Sequence, residues 1–200
     1  MSERPSPDNG SLSEGLRFAI MIFATLMMAV LALLLASGAS IDLIAMIRFS
    51  TAGVIAGIAA TAPLLLGLYL FIRTRIDALA TFREQQLEFF AEVGFEFTPL
   101  RIVVISLAAG VCEEMLFRGF LQTLFAGASH PALAIFASAL VFGALHMRTT
   151  LYVVITTVIG IYLGVLFLVT GDLAAPMICH GVYDVAALAY TRHAIKARNL

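Results

Sequence analysis

Charge is scarce in this 200-residue chain. Only 12% of its residues are Asp, Glu, Lys or Arg, about half the share found in soluble domains. Hydrophobic residues reach 61%, against about 45–50% in soluble proteins. That imbalance excludes a soluble globular domain and fits an all-α polytopic membrane protein, whose outward faces are as apolar as its core. The twelve basic residues are nearly matched by thirteen acidic ones, for a net charge of −1, so the basic footprint of a nucleic-acid partner is missing. Cysteine is equally sparse. Cys112 and Cys179 both lie in apolar stretches, where thiols act as small buried hydrophobes, and a disulfide framework is excluded. There is no internal repeat and no separate soluble domain.

What is present is a succession of apolar runs. Residues 1–15, rich in Ser, Pro and Gly, read as a disordered cytoplasmic tail. Leu16–Ala36 is long enough to cross a hydrocarbon core of about 30 Å at about 1.5 Å per residue. Its end, Ala36-Ser37-Gly38-Ala39-Ser40, has the small residues of a signal-peptidase site, but the apolar stretch exceeds a signal h-region, so a retained span is expected. A second span runs from Thr51 to Ile72. Thus 16–72 holds two transmembrane helices, the second with Gly53, Ala56, Gly57 and Ala60 suited to close packing in lipid. In 73–98, charges alternate with Leu79, Phe82, Leu87, Phe89 and Phe90. This is the pattern of an amphipathic interfacial segment, or of a polar linker with a short helix. Region 99–190 reads as four further spans, from about Pro99, Pro131, Thr150 and Leu173. Residues 191–200 read as a basic cytoplasmic tail. The expected fold is a bundle of about six transmembrane helices.

Basic residues set the orientation. With six spans and the N-terminus in the cytoplasm, Arg4, Arg17, Arg73, Arg75, Arg83, Arg101, Arg148, Arg192, Lys196 and Arg198 fall on the cytoplasmic side. Only Arg48 falls outside, in agreement with the positive-inside rule; an odd count would scatter them. Both termini are expected in the cytoplasm.

Against this apolar background a few ionisable groups stand out. Glu113, Glu114 and Arg118 lie in one run, Val111-Cys112-Glu113-Glu114-Met115-Leu116-Phe117-Arg118. A charge at membrane depth costs roughly 2.5–3.5 kcal/mol on insertion scales, so its default reading is functional. Glu114 and Arg118 are spaced i,i+4 and share a helix face. Glu113 lies about 100° round the helix and is left less paired, which makes it the better general base. His180 and Asp184 repeat the i,i+4 spacing, so Asp184 can hold the imidazole in one tautomer. Phe142 and His146 share a face in the same way. Gln122 extends the Arg118 face by one more turn. His130 and His193 read as solvated, and Asp172 as a helix N-cap. Each pair also has a structural reading: a Glu–Arg packing lock, an interfacial histidine, a His–Asp clamp between helices.

The three motifs Glu113-Glu114-x-x-x-Arg118, Phe142-x-x-x-His146 and His180-x-x-x-Asp184, in this order on successive helices, resemble those of the CPBP family. These are the CAAX prenyl proteases and bacteriocin-processing enzymes, also called the CAAX amino-terminal protease or self-immunity family. The Phe117-Arg118-Gly119 continuation is typical too, and Asp184 stands where the family has Asn or Asp. The resemblance spans about Pro99 to Tyr190 and implies that 99–190 is a four-helix catalytic core. It implies an intramembrane endopeptidase acting on membrane-associated or prenylated protein or peptide substrates. On this pattern Glu113 and His146 would activate a water. His180 and Asp184 would face the oxyanion, and Glu114 with Arg118 would organise the site. Because an anionic Asp184 would repel an oxyanion, it suits orienting His180 better.

The family is often described as metal-dependent. Glu113, His146 and His180 are three candidate zinc ligands with an open position. No His-Glu-x-x-His helix is present, and a glutamate-activated water needs no metal, so the metal-free reading is preferred. The expected partners are membrane lipid and a peptide or protein substrate. Eukaryotic-type members trim prenylated CAAX proteins, whereas bacterial members are linked to peptide processing or bacteriocin self-immunity. Six spans without a soluble domain resemble the bacterial branch, hence a bacterial plasma membrane. Two other readings stand beside this one. The first is a non-catalytic immunity or scaffold protein whose polar cluster locks helices. The second is a small transporter relaying protons, for which inverted repeats or broken helices are expected.

Overall fold

The structure, a computed structural model of the chain, describes residues 12–198. Most of the expected N-terminal tail (1–11) and the last two residues lie outside the described residues. Among the described residues every regular element is helical, and there are no strands.

Helix starts follow local chemistry. Ser13 caps α1 (Glu14–Gly38) by accepting from the Leu16 amide. α2 (Leu43–Met46) is a single turn. Ser50 caps α3 (Thr51–Arg73). α4 (Asp77–Ala91) is the amphipathic segment, burying Phe82 and Leu87. Thr98 caps α5 (Pro99–Glu114), with Pro99 at a first-turn position where its missing N–H costs nothing. A π-helical segment (Met115–Gln122) and α6 (Thr123–Ala128) prolong α5. α7 (Pro131–Leu145) again opens on a proline. Thr149 caps α8 (Thr150–Thr170), which Gly171 ends in the left-handed conformation at φ 59°; that region favours glycine. α9 (Ala174–Arg198) runs eight residues past Tyr190. The helix therefore continues into the segment expected to be a basic tail. Lys196 pairs with Glu96 at 2.6 Å, and Arg198 pairs with Glu84, which anchors that final extension.

α1, α3 and α8 are long and apolar enough to cross a membrane, and α7 is a shorter apolar helix. Their outer faces are bare of polar cover: Phe23, Leu34, Ile55, Leu133 and Val169 are all more than 60% exposed. Apolar exposure on this scale marks a membrane surface rather than a water-facing one. The expected six spans are thus matched at the coarser level of an all-helical protein with three candidate spans and shorter apolar helices.

α9 is the central element. It packs along α3 on one side and α5 on the other, while α7 pairs with α8. Gly110 makes the α5–α9 approach possible: a Cβ there would sit 2.9 Å from both the Gly181 amide nitrogen and the Met177 carbonyl. At one end of the bundle the α2–α3 and α8–α9 connections are tied together by Asp172. Its carboxylate accepts from the amides of Arg48, Ser50 and Ala174 and from the Ser50 hydroxyl. At the other end lie α4, the start of α5 and the end of α9.

Candidate active site

The polar residues of α5, its π extension and α9 meet in the interior. Arg118 is 1% exposed and Glu114 not at all. Such charges survive burial only when paired and hydrogen-bonded. Arg118 Nη1 donates to Glu114 Oε1 at 2.7 Å, and its Nη2 donates to the Gly160 carbonyl at 3.0 Å. One turn on, Gln122 Nε2 donates to the Gly164 carbonyl at 3.0 Å. The polar face of the π segment is thus locked onto the glycine face of α8. The Arg118 guanidinium also lies over the Phe142 ring, 4.7 Å from its centroid.

The π segment makes its own demand. A π turn disturbs the regular i→i+4 ladder, and side chains attend to its carbonyls. The Ser138 hydroxyl of α7 donates to Phe117 O at 2.7 Å, and the Thr123 hydroxyl donates to Arg118 O at 3.2 Å.

α9 brings His180 to the same place. Its Nδ1 lies 2.8 Å from Glu114 Oε1, while Nε2 faces Asp184 Oδ2 at 3.4 Å and Glu113 Oε2 at 4.0 Å. The carboxylate closest to the ring is therefore Glu114, not the Asp184 expected from spacing. Glu114 Oε1 takes both Arg118 and His180, so one oxygen ties two helices together.

Glu113 differs from its neighbour. Its side chain is 16% exposed, and the nearest basic atom is the His180 Nε2 just described. It sits within electrostatic reach of His180, His146, Asp184 and Glu114. His146 caps the end of α7. Its Nδ1 is 2.8 Å from the Phe142 carbonyl, which can only accept, so Nδ1 carries a hydrogen and Nε2 is the nitrogen that bears the lone pair in the neutral ring. The Phe142 ring neighbours both imidazoles, tilted against His146 at 4.6 Å and edge-on to His180 at 6.2 Å by centroid.

The six residues singled out in the sequence thus fall into two layers. Glu114 and Arg118 form a closed inner layer, extended by Gln122. Glu113, His146, His180 and Asp184 form an outer layer at the edge of the buried network. His130 caps α7 through its own ring and, with His193, takes no part. Sequence reasoning missed the backbone carbonyls of Gly160 and Gly164, and the Tyr152 ring 5.9 Å from His146. A signal for the carbonyls was there: Gly160-x-x-x-Gly164 repeats the spacing of Arg118-x-x-x-Gln122.

The three candidate zinc ligands do not form a ready site. Among the described residues no three His, Cys, Asp or Glu side chains converge as ligands. His180 is held between Glu114 and Asp184, and His146 has one nitrogen committed to a carbonyl.

The arrangement defines a helical membrane bundle with an acid–imidazole–guanidinium site sunk between apolar helices. Residues 95–186 match the family described as type II CAAX prenyl endopeptidase Rce1-like. The match covers a little under half of the chain, and the family's description is that of an endopeptidase. Protein YpbD of Bacillus subtilis (strain 168), itself uncharacterized, is 35% identical over 86 residues. The alignment covers 42% of this chain and 41% of YpbD, so the chain matches less than half the length of that relative. No solved structure matches the chain.

Proposed function

We propose that the protein is an intramembrane endopeptidase that hydrolyses a peptide bond with a water activated by Glu113 and His146. The observation that carries this reading is the contrast between the two adjacent glutamates. Glu114 is sealed in and saturated on one oxygen by Arg118 and His180, whereas Glu113 opens toward the outer layer with two imidazoles nearby. A packing lock needs Glu114, not Glu113.

In the reaction, Glu113 takes a proton from water that also hydrogen-bonds to the free Nε2 of His146. The hydroxide adds to the carbonyl carbon, and the developing oxyanion is stabilised by a donor from His180, whose ring Glu114 holds in place. The C–N bond then breaks, and Glu113 returns the proton to the departing amine. Asp184 orients His180 from its other side. No step is routed through a metal.

Substrates of a site at membrane depth are membrane-associated or prenylated proteins and peptides, and the bacterial plasma membrane is the proposed location. Six spans, with α5, its extensions and α9 counted as crossing, place both termini in the cytoplasm. That count is supported by Glu14, Glu96, Arg101 and Lys196 meeting at one end of the bundle, with Arg48 at the other.

Purified full-length protein assayed on a lipidated peptide library tests the reading. Glu113→Gln is expected to lower turnover at least ~100-fold, the usual worth of a general base, with unchanged yield and melting temperature. A chelator is expected to leave wild-type activity intact. Full activity in Glu113→Gln sinks the peptidase mechanism; loss with chelator and rescue by zinc sinks its metal-free form.

A further inference from the structure

Away from the active site, two adjoining cavities share one side chain, Arg192. The larger, about 460 Å³, is lined by Glu14, Phe90, Phe95, Glu96, Arg192 and Lys196. The smaller, about 200 Å³, lies between α5 and α9 against Pro99, Ile102, Val103, Val185 and Ala189. Apart from Arg192 the smaller is lined by apolar side chains, whereas the larger also carries Glu14, Glu96 and Lys196.

Among the described residues the charges do not balance. Glu14 pairs with Arg101 at 3.0 Å and Glu96 with Lys196 at 2.6 Å. Among the described residues two further cations, Arg17 and Arg192, make no ion pair there, although Arg192 lies within electrostatic reach of Glu96. Arg17 stands at the rim, with Nη1 against Gly94, and among the described residues its hydrogen-bond acceptor is the Leu12 carbonyl. Nε of Arg192 is buried and has no acceptor among the described residues. Leaving a buried guanidinium N–H unpaired is costly, and an arginine fork is matched by a phosphate. The apolar cavity continues this site outward. Val103 lines it, and Leu100 and Leu107, one turn away on the same stripe of α5, are 73% and 59% exposed. That exposed apolar stripe belongs to the lipid-facing surface of the bundle.

We propose that the paired cavities bind one anionic phospholipid, its phosphate on Arg192 with Arg17 at the rim and an acyl chain in the groove between α5 and α9. A zwitterionic lipid brings a compensating cation that the surplus charge disfavours. The site requires a membrane setting but not peptidase activity, so its test is read without any assay of cleavage.

Full-length protein in detergent is titrated with phosphatidylglycerol or phosphatidylcholine, and bound lipid is counted by native mass spectrometry alongside the melting temperature. One saturable phosphatidylglycerol adduct is expected, with little phosphatidylcholine. Arg192→Gln should weaken it roughly fivefold, the worth of one basic side chain at an anionic surface, and Arg192→Lys should recover most of the loss. Ala189→Trp, which fills the apolar cavity, should weaken it without altering the charge. Equal uptake of both lipids by wild type, or undiminished preference in Arg192→Gln, overturns the proposal. Should Arg192→Gln fail to fold, unchanged binding in Ala189→Trp does so. Equal stabilisation by glycerol phosphate alone also overturns it, because the acyl chain then contributes nothing.

Discussion

Glu114 shows how much a single oxygen can organise. Its Oε1 accepts from Arg118 on its own helix and meets His180 on another, so removing either partner strands a charge in an apolar interior. Arg118→Met is expected to cost about 3–5 kcal/mol, the usual penalty for breaking a buried pair from one side. It should appear as a large drop in detergent melting temperature and in membrane yield. Arg118→Lys should rescue only part of this, because an ammonium cannot fork between Glu114 and the Gly160 carbonyl. At this scale the sequence was readable where spacing decides. Glu114 with Arg118 and His180 with Asp184 are both one helical turn apart. The shorter contact, from His180 to Glu114, joins residues 66 apart in the chain and has no local signature.

Elements were legible to the extent that their ends are chemical. Ser13, Ser50, Thr98 and Thr149 cap helices, and Pro99 and Pro131 open them. The π segment was not legible, since its stability comes from Ser138 and the α8 carbonyls, which lie elsewhere in the chain. Helix approach is set by similarly distant partners. Gly110→Val places branched atoms where α9 backbone stands 2.9 Å away; it is expected to separate His180 from Glu114, abolish cleavage and lower the melting temperature. Asp172, expected to cap the last helix, accepts from the Ala174 amide at its start and also clamps two connections. Burial pushes its carboxyl up, but the Ser50 hydroxyl and the amides of Ser50, Arg48 and Ala174 outweigh this and hold it below its ordinary 3.8. The unfolded chain therefore binds the proton more readily. The stabilisation is full above that value and is lost as pH falls below it. Melting temperature followed from about pH 6 down to about pH 3 should fall more steeply for wild type than for Asp172→Asn, which has no carboxylate to titrate.

For the molecule as a whole, orientation is the open quantity, and the native cysteines make it measurable. Cys112 and Cys179 are 2% and 0% exposed, so an impermeant maleimide should not label wild-type protein. A cysteine at Ser40 is expected to label in intact cells. One at Glu92 should label only after permeabilisation. The opposite pattern would invert the six-span topology.

Composition and spacing alone determined that this chain is a helical membrane bundle, where most of its helices begin, and which ionisable residues are too costly to sit in lipid without a purpose. Those follow from short-range physics: helical period, capping and the price of an unsolvated charge. Only the tertiary structure decided that Glu114 belongs to the inner layer and Glu113 to the outer, that α8 serves the site through its backbone, and that Arg192 stands between two cavities. Each of these depends on which surfaces α9 and α8 bring against α5, and packing between helices distant in sequence leaves no mark in any one of them.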